Sequence, residues 1–182
     1  MDTFDAINQR RSVKAYDPNH RLTAAEETKL LEAAIQSPTS FNMQNWRFVI
    51  VRDPDLRKQI RAAAVDQAQV TDASLLIVHT ADLKAWNKSP ERYWRNAAPD
   101  IRKLVTGWMG PFYEGKEQLQ RDEAMRSCGI AGQTIMLAAK AMGYDSCPMI
   151  GFMIAVGKAV KPAMPKGGQL ALSEVVVQDR FA

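Results

Sequence analysis

The chain has 182 residues, 46% of them hydrophobic and 24% charged, with a formal net charge of +4. That length supports one domain with a sizeable core, and the composition excludes a low-complexity or fibrous chain. The 24 Lys+Arg and 20 Asp+Glu are spread along the sequence, so no basic tail favours nucleic acid over a small anionic ligand.

Met1-Asp2-Thr3-Phe4-Asp5 lacks the basic start and apolar run of a signal peptide. No apolar stretch approaches the ~18 residues of a membrane span. A cytoplasmic, reducing location with no membrane partner is expected, and Cys128 and Cys147, in apolar surroundings, are expected to be buried free thiols.

Residues 2–10 read as a short helix. Thr23-Ala24-Ala25-Glu26 is a capping box opening a second helix, with Leu30, Leu31, Ala34 and Ile35 as its apolar face and Ser37-Pro38 as its stop. Residues 46–51 read as a buried strand. Asp53 and Pro54 are N-cap and first residue of the next helix, which turns Leu56 and Ile60 inward. Residues 74–78 form an apolar, β-branched run suited to a central strand.

Residues 84–122 mix Trp86, Trp94, Trp108, Phe112 and Tyr113 with charges, Pro and Gly, and read as an excursion of helices and loops. Residues 124–142 form the most apolar helix, stopped by Gly143, with Gly129, Ala131 and Gly132 permitting close backbone approach. A last strand is expected at 172–177. The alternation of helices and apolar strands predicts an α/β or α+β domain.

Four segments carry candidate chemistry. Arg10, Ser12 and Lys14 alternate, so an extended backbone places a guanidinium fork, a hydroxyl and a second cation on one side, as a phosphate requires. The same cations at a helix C-terminus also complement the helix dipole, and the residues alone leave both readings open. Ser40, Asn42 and Gln44 alternate likewise and offer donors and acceptors to a flat heterocycle, or else form an Asx/Ser turn. Cys147-Pro148-Met149-Ile150-Gly151-Phe152 permits an exposed backbone N–H, and Pro165-Lys166-Gly167-Gly168-Gln169 carries one cation on a loop.

In this order, Arg-Arg-Ser-x-Lys, Ser-Pro-x-Ser-x-Asn-x-Gln-x-Trp, Pro-x-x-Gly-Phe and a C-terminal Pro-Lys loop resemble the FMN-dependent nitroreductase family across nearly the whole chain. The resemblance implies a nitroreductase-like α+β fold: a central mixed, mostly antiparallel sheet flanked by helices, in an intertwined homodimer. It implies FMN, with Arg10, Ser12 and Lys166 on the phosphate, Arg11 adding backbone contact and Lys14 near the pyrimidine end. Pro38, Thr39, Ser40 and Asn42 would come from the partner subunit. Met149, Ile150 and Gly151 would line the central ring, and Asp66 stands where many relatives carry Asn. Phe112 and Tyr113 are candidates for a mobile aromatic wall over the substrate.

The function implied is electron transfer from NADPH or NADH through FMN to a nitroaromatic, quinone or similar conjugated acceptor. A flavin-binding protein without turnover, and a basic interaction module without cofactor, are the alternatives. His20 and His79 offer no catalytic triad.

Two features depart from the family pattern. A second cation after Lys166 is lacking, with Gly168 and Gln169 in that region. Phe152 also runs directly into Met153, where relatives carry a helix and loop. Because a parallel strand pair needs a crossover of a dozen or more residues, a single domain over 1–182 with a missing or deleted segment between 152 and 153 is expected.

Overall fold

The computed structural model describes residues 1–166, 169–171 and 175. Six helices, α1 (Thr3–Gln9), α2 (Ala24–Ala34), α3 (Pro54–Ala63), α4 (Gln69–Asp72), α5 (Pro99–Tyr113) and α6 (Glu117–Ala141), surround four strands among the described residues. The strands are β1 (Trp46–Ile50), β2 (Leu75–Ala81), β3 (Asp145–Met149) and β4 (Met153–Gly157).

Local chemistry sets the helix starts. Thr23 accepts from the Glu26 N–H while the Glu26 carboxylate accepts from the Thr23 N–H at 2.8 Å, closing the expected capping box. Asp53 accepts from the N–H groups of Asp55 and Leu56, with Pro54 at the first helical position. At the end of α6, Gly143 takes the left-handed conformation, φ 83°.

The strands lie in the order β1-β2-β4-β3, each pair antiparallel. Strand alternation divides the core between the two faces. Leu75 and Ile77 of β2 and Ile154 and Val156 of β4 pack with Leu30 and Ala34 of α2 and with Ile135 and Ala139 of α6. Leu76 and Val78 on the opposite face pack with Val51, Ile60, Val70 and Met153. Helices therefore pack on both faces of an antiparallel sheet, each burying an apolar stripe against it. The one parallel contact among the described residues is an isolated bridge from Ser12 to Ser146, which lays the segment after α1 along the outer edge of β3.

Several expectations need correction. Strand β1 is an edge strand rather than a buried one, with Arg47 and Val49 facing out. Leu56 is 45% exposed, because α3 meets the core through Ile60 instead. Of the small residues on α6, Gly132 meets the sheet closely: an added Cβ would lie 3.4 Å from Ile154 Cδ1, whereas Gly129 faces open space. The apolar helix also begins earlier than expected, at Glu117, taking in the end of the 84–122 excursion. The strand expected at 172–177 lies outside the described residues apart from Val175.

No crossover is needed between residues 152 and 153. Strands β3 and β4 form an antiparallel hairpin in which Met149 pairs with Met153. Ile150, Gly151 and Phe152 make the turn, with positive φ at Gly151 (83°) and Phe152 (61°). The expected crossover belongs to parallel strands, and this pair is antiparallel.

Candidate functional site

The Arg10 backbone N–H caps α1 by donating to the Ala6 carbonyl, and its own extended φ/ψ sends the chain out along β3. Val13 N–H then donates to the Ser146 carbonyl at 3.1 Å, and the Val13 side chain enters the core. This alternation leaves Ser12 and Lys14 exposed and Arg10 half-buried. Arg11 turns the other way. Its guanidinium donates to the carbonyls of Asn8 and Arg10, so the helix-end reading applies to Arg11.

Gln69 reaches the Cys147 sulfur. Burial pushes the Cys147 thiol up, while the charges of Lys14 and Arg10 and a hydrogen bond from Gln69 pull it back. Gln69 Nε2 lies 4.0 Å from the sulfur and 2.7 Å from Gln67 Oε1. Gln69 is a buried polar residue that the sequence did not single out; its signal was a polar side chain on a short helix leading into a central strand. Both cysteines are buried and free, as expected.

Arg10 Nη1 is buried with no hydrogen-bond partner among the described residues. A guanidinium stays charged, and a buried orphan donor on it is costly unless an anion completes the site. That orphan donor fits a phosphate group such as that of FMN.

The hairpin turn forms the second part. Ile150 stands 96% exposed at its tip. Beside it a cavity of about 320 Å³ runs along α6, lined by Met149, Ile150, Gly151, Phe152, Met136 and His79. Burial lowers the His79 pKa from 6.5 to about 4, so its imidazole is neutral near pH 7. Met149 also packs inward against both sheet-side clusters.

Other expected site residues lie elsewhere in the subunit. Residues Ser40–Asn42 form a 3-10 turn, not an extended strip, with positive φ at Phe41, Asn42 and Gln44. Their polar groups are used by the excursion: Asn42 Nδ2 donates to the Tyr93 carbonyl at 2.8 Å, and Ser40 Oγ accepts from Tyr113 Oη at 2.8 Å. Thr39 Oγ1 accepts from the Gln44 N–H at 2.9 Å, and Pro38 precedes it at the end of α2. Asp66 pairs with Arg61 at 2.7 Å on the surface. Lys166 is exposed and makes no hydrogen bond or ion pair among the described residues. Tyr113 is fully buried and hydrogen-bonded, whereas Phe112 beside it is 41% exposed.

Residues 7–165 match the model of the nitroreductase family. DrgA of Synechocystis is 67% identical over 152 residues, covering 84% of this chain and 72% of DrgA. YodC of Bacillus subtilis, named as an NAD(P)H nitroreductase, is 31% identical over 198 positions, covering 96% of this chain and 97% of YodC. A nitroreductase structure from Exiguobacterium sibiricum, in complex with FMN, superposes with a TM-score of 0.89 at 25% identity, covering 98% of each chain. The chain belongs to the nitroreductase family. Because the YodC alignment runs over 198 positions and this chain has 182 residues, YodC carries residues with no counterpart here.

Proposed function

We propose that this protein is an FMN-dependent oxidoreductase that takes electrons from NADPH or NADH and passes them to a nitroaromatic, quinone or similar conjugated acceptor. The observation that carries the reading is Arg10 Nη1, buried and without a hydrogen-bond partner among the described residues, where the chain runs along the edge of β3. The FMN in the Exiguobacterium relative and the nicotinamide in the name of YodC support it.

In this reading Arg10 and Ser12 hold the phosphate, with Lys166 from the C-terminal loop. Bound FMN supplies the electron relay between donor and acceptor. Lys14 places positive charge where negative charge would develop on reduction. Met149, Ile150 and Gly151 give an apolar wall that keeps water from the ring. The working unit is a homodimer in which residues 38–42 of each subunit complete the other's site. The residues that YodC has in excess fall after Phe152, where this chain has only the three-residue turn.

Purified protein carrying flavin absorbance and oxidising NAD(P)H only when a quinone or nitroaromatic is added supports the reading. Flavin binding with no turnover on either nicotinamide across an acceptor panel contradicts it in favour of a non-catalytic flavoprotein.

A further inference from the structure

A second cavity, of about 680 Å³, opens at the far end of the sheet between the start of β1 and the 3-10 turn at Pro90–Trp94. Its lining includes Trp46, Arg47, Arg92, Tyr93, Trp94 and Arg95. Three guanidinium groups thus meet three aromatic rings in a space within the 300–1,000 Å³ range of small-molecule sites.

The aromatic walls are fixed in place. Trp94 Nε1 donates to the Phe41 carbonyl at 2.9 Å, and the Tyr93 carbonyl accepts from Asn42 Nδ2 at 2.8 Å. Trp46 stacks on Phe48 with centroids 5.4 Å apart and is 7% exposed, yet its Nε1 has no partner among the described residues. These contacts leave flat, preorganised surfaces against which a planar base can stack.

The charges are unbalanced. Arg47 is engaged, donating to the Gln44 and Trp46 carbonyls and lying 3.9 Å from Asp82, which Lys88 already neutralises at 2.8 Å. The Arg92 guanidinium lies 4.6 Å from the Tyr93 ring centroid and also donates to the Tyr93 hydroxyl. Neither Arg92 nor Arg95 has a carboxylate partner among the described residues, and the Arg95 guanidinium makes no hydrogen bond there. Two uncompensated forks beside rigid aromatic rings suit a phosphate attached to a heterocyclic base.

We infer that this cavity binds the adenosine 2′-phosphate end of NADPH, an assignment that rests on the nicotinamide-dependent reading above. NADH lacks that phosphate, so the cavity gives this protein a preference for NADPH. The base stacks on Trp94, whose indole is held by its Nε1 hydrogen bond, and Arg92 and Arg95 take the phosphate.

Adenosine 2′,5′-bisphosphate is the direct probe, because it carries the base and the phosphate but no nicotinamide. Titrated into the flavin-loaded protein, it should saturably quench tryptophan fluorescence, with 5′-AMP binding about tenfold or more weakly. The variant R92A/R95A, altered at two exposed side chains, should weaken bisphosphate binding by roughly ten- to a hundredfold. It should raise the KM for NADPH by a similar factor while leaving the KM for NADH and the kcat within about twofold. R92K/R95K should recover part of the loss, since it restores charge without the fork.

Equal binding of bisphosphate and 5′-AMP, bisphosphate binding undiminished in R92A/R95A, or a parallel rise in both KM values overturns the assignment. Bisphosphate binding needs no redox chemistry, so its loss tells against the cavity whether or not the protein turns over. Intact bisphosphate binding without NAD(P)H oxidation tells against the activity alone.

Discussion

Tyr113, the last residue of α5, donates its hydroxyl hydrogen bond to Ser40 Oγ at 2.8 Å, across 73 residues of sequence. This bond fastens the loop before β1 to the helical excursion. Phe41, Phe112 and Tyr113 pack edge to face around it, with centroids 4.9 to 5.8 Å apart. The Tyr113→Phe variant should therefore lose about 1 kcal/mol of stability, the worth of a hydrogen bond between neutral groups. A urea midpoint lowered at constant slope supports this, and an unchanged midpoint contradicts it.

Gly157 ends β4 under the Tyr16 ring. A Cβ there would lie 2.9 Å from Tyr16 Cδ1 and 3.1 Å from the Ser74 nitrogen. Both neighbours are held, Tyr16 in the core and Ser74 in the backbone entering β2, so neither can give way cheaply. Gly157→Ala should destabilise by about 1–3 kcal/mol through overpacking. Gly107 in α5 has nothing within 4 Å of the same position, so Gly107→Ala should instead stabilise by roughly 0.5–1 kcal/mol. Thermal melts of the two variants moving in the same direction contradict the packing account.

His79 gives stability a defined pH dependence. Burial lowers its pKa from 6.5 to about 4 in the fold. Between those values the unfolded chain binds a proton that the folded one refuses. The contribution of His79 is complete above pH 6.5 and is lost as pH falls towards about 4. The slope it adds is at most about 1.4 kcal/mol per pH unit. His79→Asn should remove that slope. Equal wild-type and variant slopes in denaturant titrations from pH 6.5 down to 4 contradict it.

Features set by neighbours in sequence were legible before the structure. The Thr23–Glu26 box, the Asp53 N-cap with Pro54, the Gly143 helix stop and the central position of the 74–78 run each depend on interactions within a few residues. The alternation of Arg10, Ser12 and Lys14 was also legible, because an extended backbone fixes it locally.

The 38–44 loop was not legible. Its polar groups find partners at Tyr93, Trp94 and Tyr113, more than fifty residues away, and those contacts fold it into a turn with three positive-φ residues. Arg57 was missed for the same reason. Its guanidinium reaches the Val51 carbonyl at 2.8 Å and the Ala73 carbonyl at 2.6 Å, holding α3 against the sheet edge. Gln69 acquires its place only because β3 brings Cys147 beside it.

The central claim is that Arg10 holds the phosphate of FMN, and titrating flavin-free protein with FMN tests it most directly. Wild-type protein should bind one FMN per chain. Arg10→Ala should weaken that binding by about 1.5–3 kcal/mol, the worth of a hydrogen bond to a charged group, which is roughly ten- to a hundredfold in Kd. Binding of riboflavin, which lacks the phosphate, should differ little between the two proteins. FMN affinity unchanged in Arg10→Ala, or no FMN binding by the wild type, would contradict the account.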